Sequence, residues 1–394
     1  MAGEESITMA ELNRYEVIKS LLDGRLMNKE AGRSLQLSVR QIQRIKKRVF
    51  AKGVRGVFHG NKGRKPVHAF SAGFKVEVLD LFRRKYFDFN FSHLSEYLLD
   101  AEAIKIGRET LRKWLRAAGL GGKKHRQPAH RKRRIRCGKK GQMLFLDGSP
   151  HVWFGHVQST LILCTDDATG EPLYGQFRPQ EDLDGCFLVC GHVFKRYGLP
   201  GCFYLDKASQ FTTTRHGGIH YIVHTTNKFT QFERAMKELS VGTIFADSPQ
   251  ARGRGERING SFQDRLVAEM RVKGIDSFQA ANRYLNQIFI PKYGRRFGVQ
   301  PRDKTSAWRK IPAQIDLRNI LCRRYQRTVN NDNTISVDGQ IIQLMPTAGH
   351  LHLVKAKVIV NLWLDGSWHI YHPKAGEVPC KLFELSLKKL SALG

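Results

Sequence analysis

The chain has 394 residues, with 66 Lys+Arg against 35 Asp+Glu and a formal charge of +31. That excess excludes basic partners and directs the protein to polyanions, nucleic acid above all. An apolar content of 41% excludes a disordered chain and suffices for the cores of two or more domains.

Seven cysteines, at 137, 164, 186, 190, 202, 322 and 380, follow no CxxC or zinc-finger spacing, so reduced thiols and no structural zinc are expected. Cys186 and Cys190 are read as thiols buried on a core helix. No signal-peptide pattern and no run of about 18 apolar residues occurs, which predicts a cytoplasmic protein with access to DNA and no membrane partner.

The charge is uneven: residues 1–140 hold 34 Lys+Arg and 13 Asp+Glu. Apolar spacing predicts a helix over 10–22, ended by Asp23-Gly24, and a short helix near Asn28. In "LSVRQIQRIKKRVF", Ser38 caps a third helix with Val39, Ile42, Ile45 and Val49 inward and Arg40, Gln41, Gln43, Arg44, Lys47 and Arg48 outward. This pattern over residues 8–55 reads as a helix-turn-helix domain whose third helix reads base edges. Residues 56–70 form a basic linker with Arg64 and Lys65, suited to a minor groove.

Helices are predicted again over 71–87, over 91–99 and across "KIGRETLRKWLRAAGL", making residues 71–120 a second helix-turn-helix domain with Arg108, Arg112, Lys113 and Arg116 toward DNA. Residues 121–140 carry ten Lys+Arg and no acid, a strap that lies along phosphates and adds salt-dependent affinity.

After Gly141 the texture changes. "QMLFLDGSP", "STLILCTDDATG" and "EPLYGQF" read as three strands, 181–197 as a helix, "GCFYLD" as a strand, 228–239 as a helix, "VGTIFA" as a strand and 254–270 as a helix. The order βββαβαβα over residues 141–300 is that of a ribonuclease H-like α/β core, a mixed sheet with helices on both faces. Beyond it, Asp338-Gly339 and Asp365-Gly366 join two strand pairs, and residues 315–394 read as a small β-barrel. The fold class expected is therefore multidomain α+β.

In such a sheet the ends of the first and fourth strands are neighbours, and the helix after the fifth crosses them. Asp147 ends the first strand, Asp206 the fourth, and Glu256 sits in the first turn of the crossing helix. Singly, each acid reads as a turn or surface residue. Together at one rim they would repel unless a hard divalent cation joined them: Mg²⁺, with Mn²⁺ as a substitute. Two ions about 4 Å apart can activate a nucleophile and stabilise the leaving oxygen of a phosphoryl transfer. Arg252, Arg254 and Arg257 would hold the phosphates, and Gly253 and Gly255 let the backbone approach them. Asn259 is expected to support the acids from the side, with Ile258, Phe262 and Leu266 packed inward. Asp166 and Asp167 are expected to shape a turn.

The segment 142–266 resembles the catalytic domain of DDE transposases and retroviral integrases. The motifs "LDGSPHVWF", "LCTDDATG" and "QFERAMKELSVGTIFADSPQARGRGERINGSFQDRL", with "LSVRQIQRIKKR" and "HGNKGRKP" upstream, are similar to the ISNCY family of bacterial insertion sequences over about residues 10–310. The resemblance implies Asp147, Asp206 and Glu256 as catalytic and metal-binding residues. It also implies cleavage and strand transfer at terminal inverted repeats, a homodimer or larger synaptic assembly, and a bacterial, nucleoid-associated location. The 49 residues between Asp206 and Glu256 exceed the spacing of many integrase-like enzymes. A shorter spacing would reach the neighbourhood of Glu238, which precedes the fifth strand, so geometry favours Glu256. The alternatives are a domesticated DNA-binding regulator without catalysis and a ribonuclease H-type nuclease.

Overall fold

The first and third helices begin where a hydroxyl can satisfy their free N–H groups. In α1 (Met9–Leu22) Thr8 accepts from the Glu11 N–H at 3.3 Å, and the Glu11 carboxylate accepts from the Thr8 N–H at 2.9 Å. After α2 (Asn28–Leu35), Ser38 and Gln41 form the same reciprocal cap on α3 (Val39–Lys52). Ile42, Ile45 and Val49 face inward as expected and close a core with Ile18, Leu21, Ala31 and Val57. Val39 does not: at the first helical position it stays exposed. Arg40, Arg44, Lys47 and Arg48 are exposed, whereas the Gln41 side chain is engaged by its own cap.

The structure, a computed structural model, describes residues 7–62, 69–121, 135–155, 158–206, 229–245, 253–346 and 352–382. Arg64, Lys65 and Arg252, expected at DNA, lie outside the described residues, as does most of the basic strap. The chain forms two compact units, Met1–Glu77 and Val78–Gly394.

In the second unit, α5 (Phe91–Glu102) and α6 (Arg108–Ala117) follow α4 (Ala72–Lys85). Leu111 and Leu115 turn inward, leaving Arg108, Lys113 and Arg116 exposed, while Arg112 is gripped by Glu109 one turn back.

The strands come next. A two-residue β1 (Lys139–Lys140) precedes β2 (Met143–His151), β3 (Ser159–Asp166) and β4 (Pro172–Arg178), which pair as an antiparallel meander. Then come α7 (Leu183–Tyr197), β5 (Cys202–Leu205), α8 (Gln231–Glu238), β6 (Gly242–Phe245) and α9 (Gly253–Val272). β5 joins β2 in parallel and β6 joins β5, giving the order β4-β3-β2-β5-β6. This mixed sheet with the element order βββαβαβα is the one expected.

Both faces are covered, so all eight residues of β3 are buried and its apolar run needs no polar alternation. Leu144, Leu146, Ile162, Phe203 and Leu205 pack under α7 and α8; Cys186 and Cys190 are buried in that layer, where desolvation pushes both thiols well up. Leu161, Leu163 and Phe177 pack on the other face under α9, α10 (Phe278–Tyr284) and α11 (Ile290–Phe297).

Helix α5 and the loop before it fasten to this second layer through charged side chains. Glu96 pairs with Arg265 and Arg296, Asp88 with Arg271, and buried His93 meets Glu269 at 2.8 Å. Tyr284 donates to the other oxygen of Glu269. Burial pushes the Glu269 carboxyl up, but the bonds from His93 and Tyr284 outweigh it and hold the group below its ordinary 4.5. A depressed carboxyl stabilises the fold above its unfolded pKa and loses that contribution as pH falls through the folded value. Glu269→Gln is expected to cost about 1–3 kcal/mol at neutral pH, because one donor is left facing the amide N–H₂. Urea unfolding at pH 7 and below pH 4.5 checks this: the difference between variant and wild type shrinks in acid.

Toward the carboxyl end, β7 (Asp303–Ser306) pairs in parallel with β1 and is followed by α12 (Leu317–Ile320). The remaining strands form two sheets. β8 (Arg323–Thr328), β11 (Lys357–Leu362), β12 (Trp368–His372) and β13 (Gly376–Val378) make one; β9 (Thr334–Val337), β10 (Gln340–Leu344) and β14 (Cys380–Leu382) make the other. Asp338 and Gly339, at φ 50° and 77°, turn β9 into β10, the conformation for which an Asp-Gly pair is suited. Ile335, Ile342, Val358, Val360 and Ile370 share one core between the sheets. The expected barrel is corrected here: among the described residues the ladder is two sheets and does not close.

Candidate active site

Alternation along β2 sorts its side chains. Leu144 and Leu146 enter the layer under α7, and Gly148 leaves room there for Glu181, whose carboxylate lies where a Cβ would stand. The intervening Phe145, Asp147 and Ser149 therefore face α9. Phe145 is in register with Tyr204 of β5, and their rings meet edge to face at 5.6 Å. Asp147 and Asp206 each lie two residues further along and so share one face of neighbouring strands; Asp206 follows the last residue of β5 as expected, but Asp147 does not end its strand, being the fifth of the nine residues of β2, which runs on to His151 against β3.

Helix α9 lies over that face. Ile258, Phe262 and Leu266 are buried as expected, which turns the next residues of each helical turn toward β2. Asn259 Nδ2 donates to Asp147 Oδ2 at 2.9 Å, and Gln263 Nε2 to Ser149 Oγ at 3.0 Å. A Cβ on Gly255 would stand 3.9 Å from the same Asp147 oxygen, so Gly255 and Asn259, one turn apart, both face the acid. Glu256 shares the 256/259/263 stripe and is exposed at the start of the helix.

The arginines divide. Arg257 donates from Nε to the Gly253 carbonyl at 2.8 Å and remains exposed. Arg254, expected on phosphates, is instead largely withdrawn from solvent and ion-paired with Asp167, whose side chain is fully buried. Asp166 shapes the turn as expected, accepting from the N–H groups of Gly141 at 2.7 Å and Thr169 at 2.9 Å. Burial pushes its carboxyl up in spite of these bonds. Arg136, near the carboxyl end of the basic strap, donates to the Asp167 carbonyl at 3.3 Å; burial and then the nearby Arg254 lower its pKa.

Among the described residues no group of three or more His, Cys, Asp or Glu side chains is gathered tightly enough to hold a metal ion. The structure brings Asp147 and Asp206 to one face of neighbouring strands and Asn259 onto Asp147; it leaves Glu256 on the exposed flank. The donor chemistry suits a hard cation, since oxygen ligands are what Mg²⁺ takes, and an amide donor orients a carboxylate without neutralising it. A cavity of about 760 Å³ between α7, residues 311–321 and Trp363–Asp365 is lined by none of the three acids.

Sequence reasoning missed the distinct part played by Asp167 and the buried set His93, Glu269 and Tyr284. The signal available was the position of Asp167 as the second of two acids after the apolar run Leu161–Cys164, where a carboxylate either turns out to solvent or finds a buried cation.

No protein-family model matches the chain. It is 31% identical over 389 residues to y4bF of Sinorhizobium fredii, described as a transposase, covering 97% of this chain and 83% of that protein. It is 29% identical over 411 residues to the transposase for insertion sequence IS1202 of Streptococcus pneumoniae, covering 93% and 86%. Among solved structures, it resembles a chain of the simian T-cell lymphotropic virus intasome in complex with PP2A regulatory subunit B56 gamma. That likeness covers 77% of this chain and 97% of the other, at 12% identity and a TM-score of 0.33.

Proposed function

Since the chain belongs to the transposases, we propose that its mixed sheet is a ribonuclease H-like core in which Asp147, Asp206 and Glu256 cut and join DNA ends. The observation that carries this is the Asn259–Asp147 hydrogen bond, which ties α9, three residues past Glu256, to the strand paired with the one that leads into Asp206. Mg²⁺ held by these carboxylates would polarise the phosphodiester and activate the attacking water.

The chain's own residues do the rest. The sheet holds two acids on one face, and Asn259 fixes the orientation of one. Arg257, exposed beside Glu256, is available to a phosphate, as Arg252 is by sequence. Hydrolysis at the element end releases a 3′-OH, which then attacks target DNA in the same pocket, with no covalent link to protein. The two three-helix units act as helix-turn-helix modules on the terminal inverted repeats, through Arg40, Arg44, Lys47 and Arg48 in one and Arg108, Lys113 and Arg116 in the other. The basic segments add affinity along the backbone. Joining two ends calls for a homodimer or larger synaptic assembly.

Incubation with labelled element ends and Mg²⁺ tests the reading. A transposase nicks at the repeat boundary and leaves a 3′-OH; a regulator binds without cutting, and a ribonuclease H-type nuclease prefers RNA:DNA hybrids. Asn259→Ala is expected to slow cleavage by about 10- to 100-fold with end binding unchanged, because Asp147 loses the donor that orients it. Asn259→Asp is slower still, a like charge facing Asp147. Single-turnover cleavage and gel-shift titration separate the two effects.

A further inference from the structure

Two residues before Glu256, α9 is fastened to a buried acid that a turn does not need. Asp166 alone shapes the loop, through Gly141 and Thr169. Asp167 does something else. One of its carboxylate oxygens is paired with Arg254, and the other accepts from the Cys137 N–H at 2.8 Å. Its own N–H donates to the Met143 carbonyl at 3.0 Å, tying it to the start of β2. Three segments thus meet at one buried residue: the chain at the end of the basic strap and the first turn of α9 at its carboxylate, and the start of the catalytic strand at its backbone N–H. A buried charge is costly unless paired, and removal of either partner of such a pair is strongly destabilising locally.

We propose that Asp167 is a positioning residue for Glu256. Arg254 and Asn259 lie on either side of Glu256 and are fixed to different points of the sheet, so together they set the rotation and height of the helix start at 3.6 residues per turn. Through Cys137 the same carboxylate links the end of the basic strap to α9, so strap and helix share one anchor. The proposal rests on the catalytic reading of Glu256.

The test uses the full chain, a labelled element-end duplex and four variants: Asp167→Asn, Arg254→Gln, Arg254→Lys and Glu256→Gln. Single-turnover cleavage, end binding, thermal unfolding and Mn²⁺ binding by electron paramagnetic resonance are read for each. Asp167→Asn and Arg254→Gln are expected to lower cleavage and Mn²⁺ affinity by about 10- to 100-fold, with end binding held within about twofold. Arg254→Lys, which keeps the charge, recovers most of both. Wild-type cleavage and Mn²⁺ binding in Asp167→Asn overturn the proposal, as does a loss of cleavage that only tracks the fraction folded or the fraction bound. Should Asp167→Asn fail to fold, Arg254→Gln against Arg254→Lys decides by the same readings. Glu256→Gln cutting at the wild-type rate instead removes the catalytic reading itself; an inactive Glu256→Gln beside a fully active Asp167→Asn overturns only the positioning role.

Discussion

Asp206→Asn is expected to lower single-turnover cleavage of an element end by about 10³-fold or more, a loss of roughly 4 kcal/mol of transition-state stabilisation. The substitution keeps the size and shape of the side chain and removes its charge. Asp206 lies just past β5, outside the hydrogen-bonded ladder of β2 and β5. End binding is assigned to other parts of the chain, the exposed basic faces of α3 and α6 and the flanking basic segments, and stays within about twofold on this account. Parallel gel-shift and cleavage assays decide the point. A variant that loses binding and cleavage in the same proportion would mean that Asp206 serves DNA affinity or folding, and the catalytic assignment would fall.

Phe262→Ala is expected to cost the larger unit about 3–5 kcal/mol, read as a lower urea midpoint at unchanged slope. The ring is fully buried and meets Phe289 at 5.0 Å and Tyr293 at 4.9 Å. It is also the contact that presses α9 onto the sheet, four residues past Ile258 in the same buried row. Its removal leaves a cavity under the helix that carries Glu256 and Asn259, so cleavage falls further than stability alone explains. A cost under about 1 kcal/mol would show that α9 is held by its polar ties rather than by this core.

Where local chemistry decides the outcome, the sequence could be read. Ser38 caps α3 because a hydroxyl before an apolar row satisfies free N–H groups, and Asp338-Gly339 turns because its residues tolerate positive φ. The core sheet was legible for a related reason: its central strands carry short apolar runs such as Met143–Leu146 and Leu161–Cys164, and each helix buries one stripe. What could not be read depends on distant partners. β8, "RRYQRT", has the composition of an exposed loop and becomes a strand by pairing with β11, with Arg323 held by Asp184. Arg254 has the composition of a phosphate ligand and is claimed by Asp167 from a segment 87 residues away. Gln41 has the right chemistry for a base edge, yet its own helix cap engages it. Barrel closure, which the described residues do not show, could not be read either, because pairing between sheets is set by strand twist and register, neither of which hairpin signals carry.

Catalysis as proposed requires Asp147, Asp206 and Glu256 to share a bound cation. Crystals of the protein with an element-end duplex, soaked in Mn²⁺ and measured at the manganese absorption edge, test it most directly. An anomalous peak is expected with oxygens of all three carboxylates within about 2.0–2.6 Å, beside the terminal phosphate. A fully occupied manganese site at the DNA end with Glu256 outside its coordination sphere, or no manganese between the two aspartates, would contradict it.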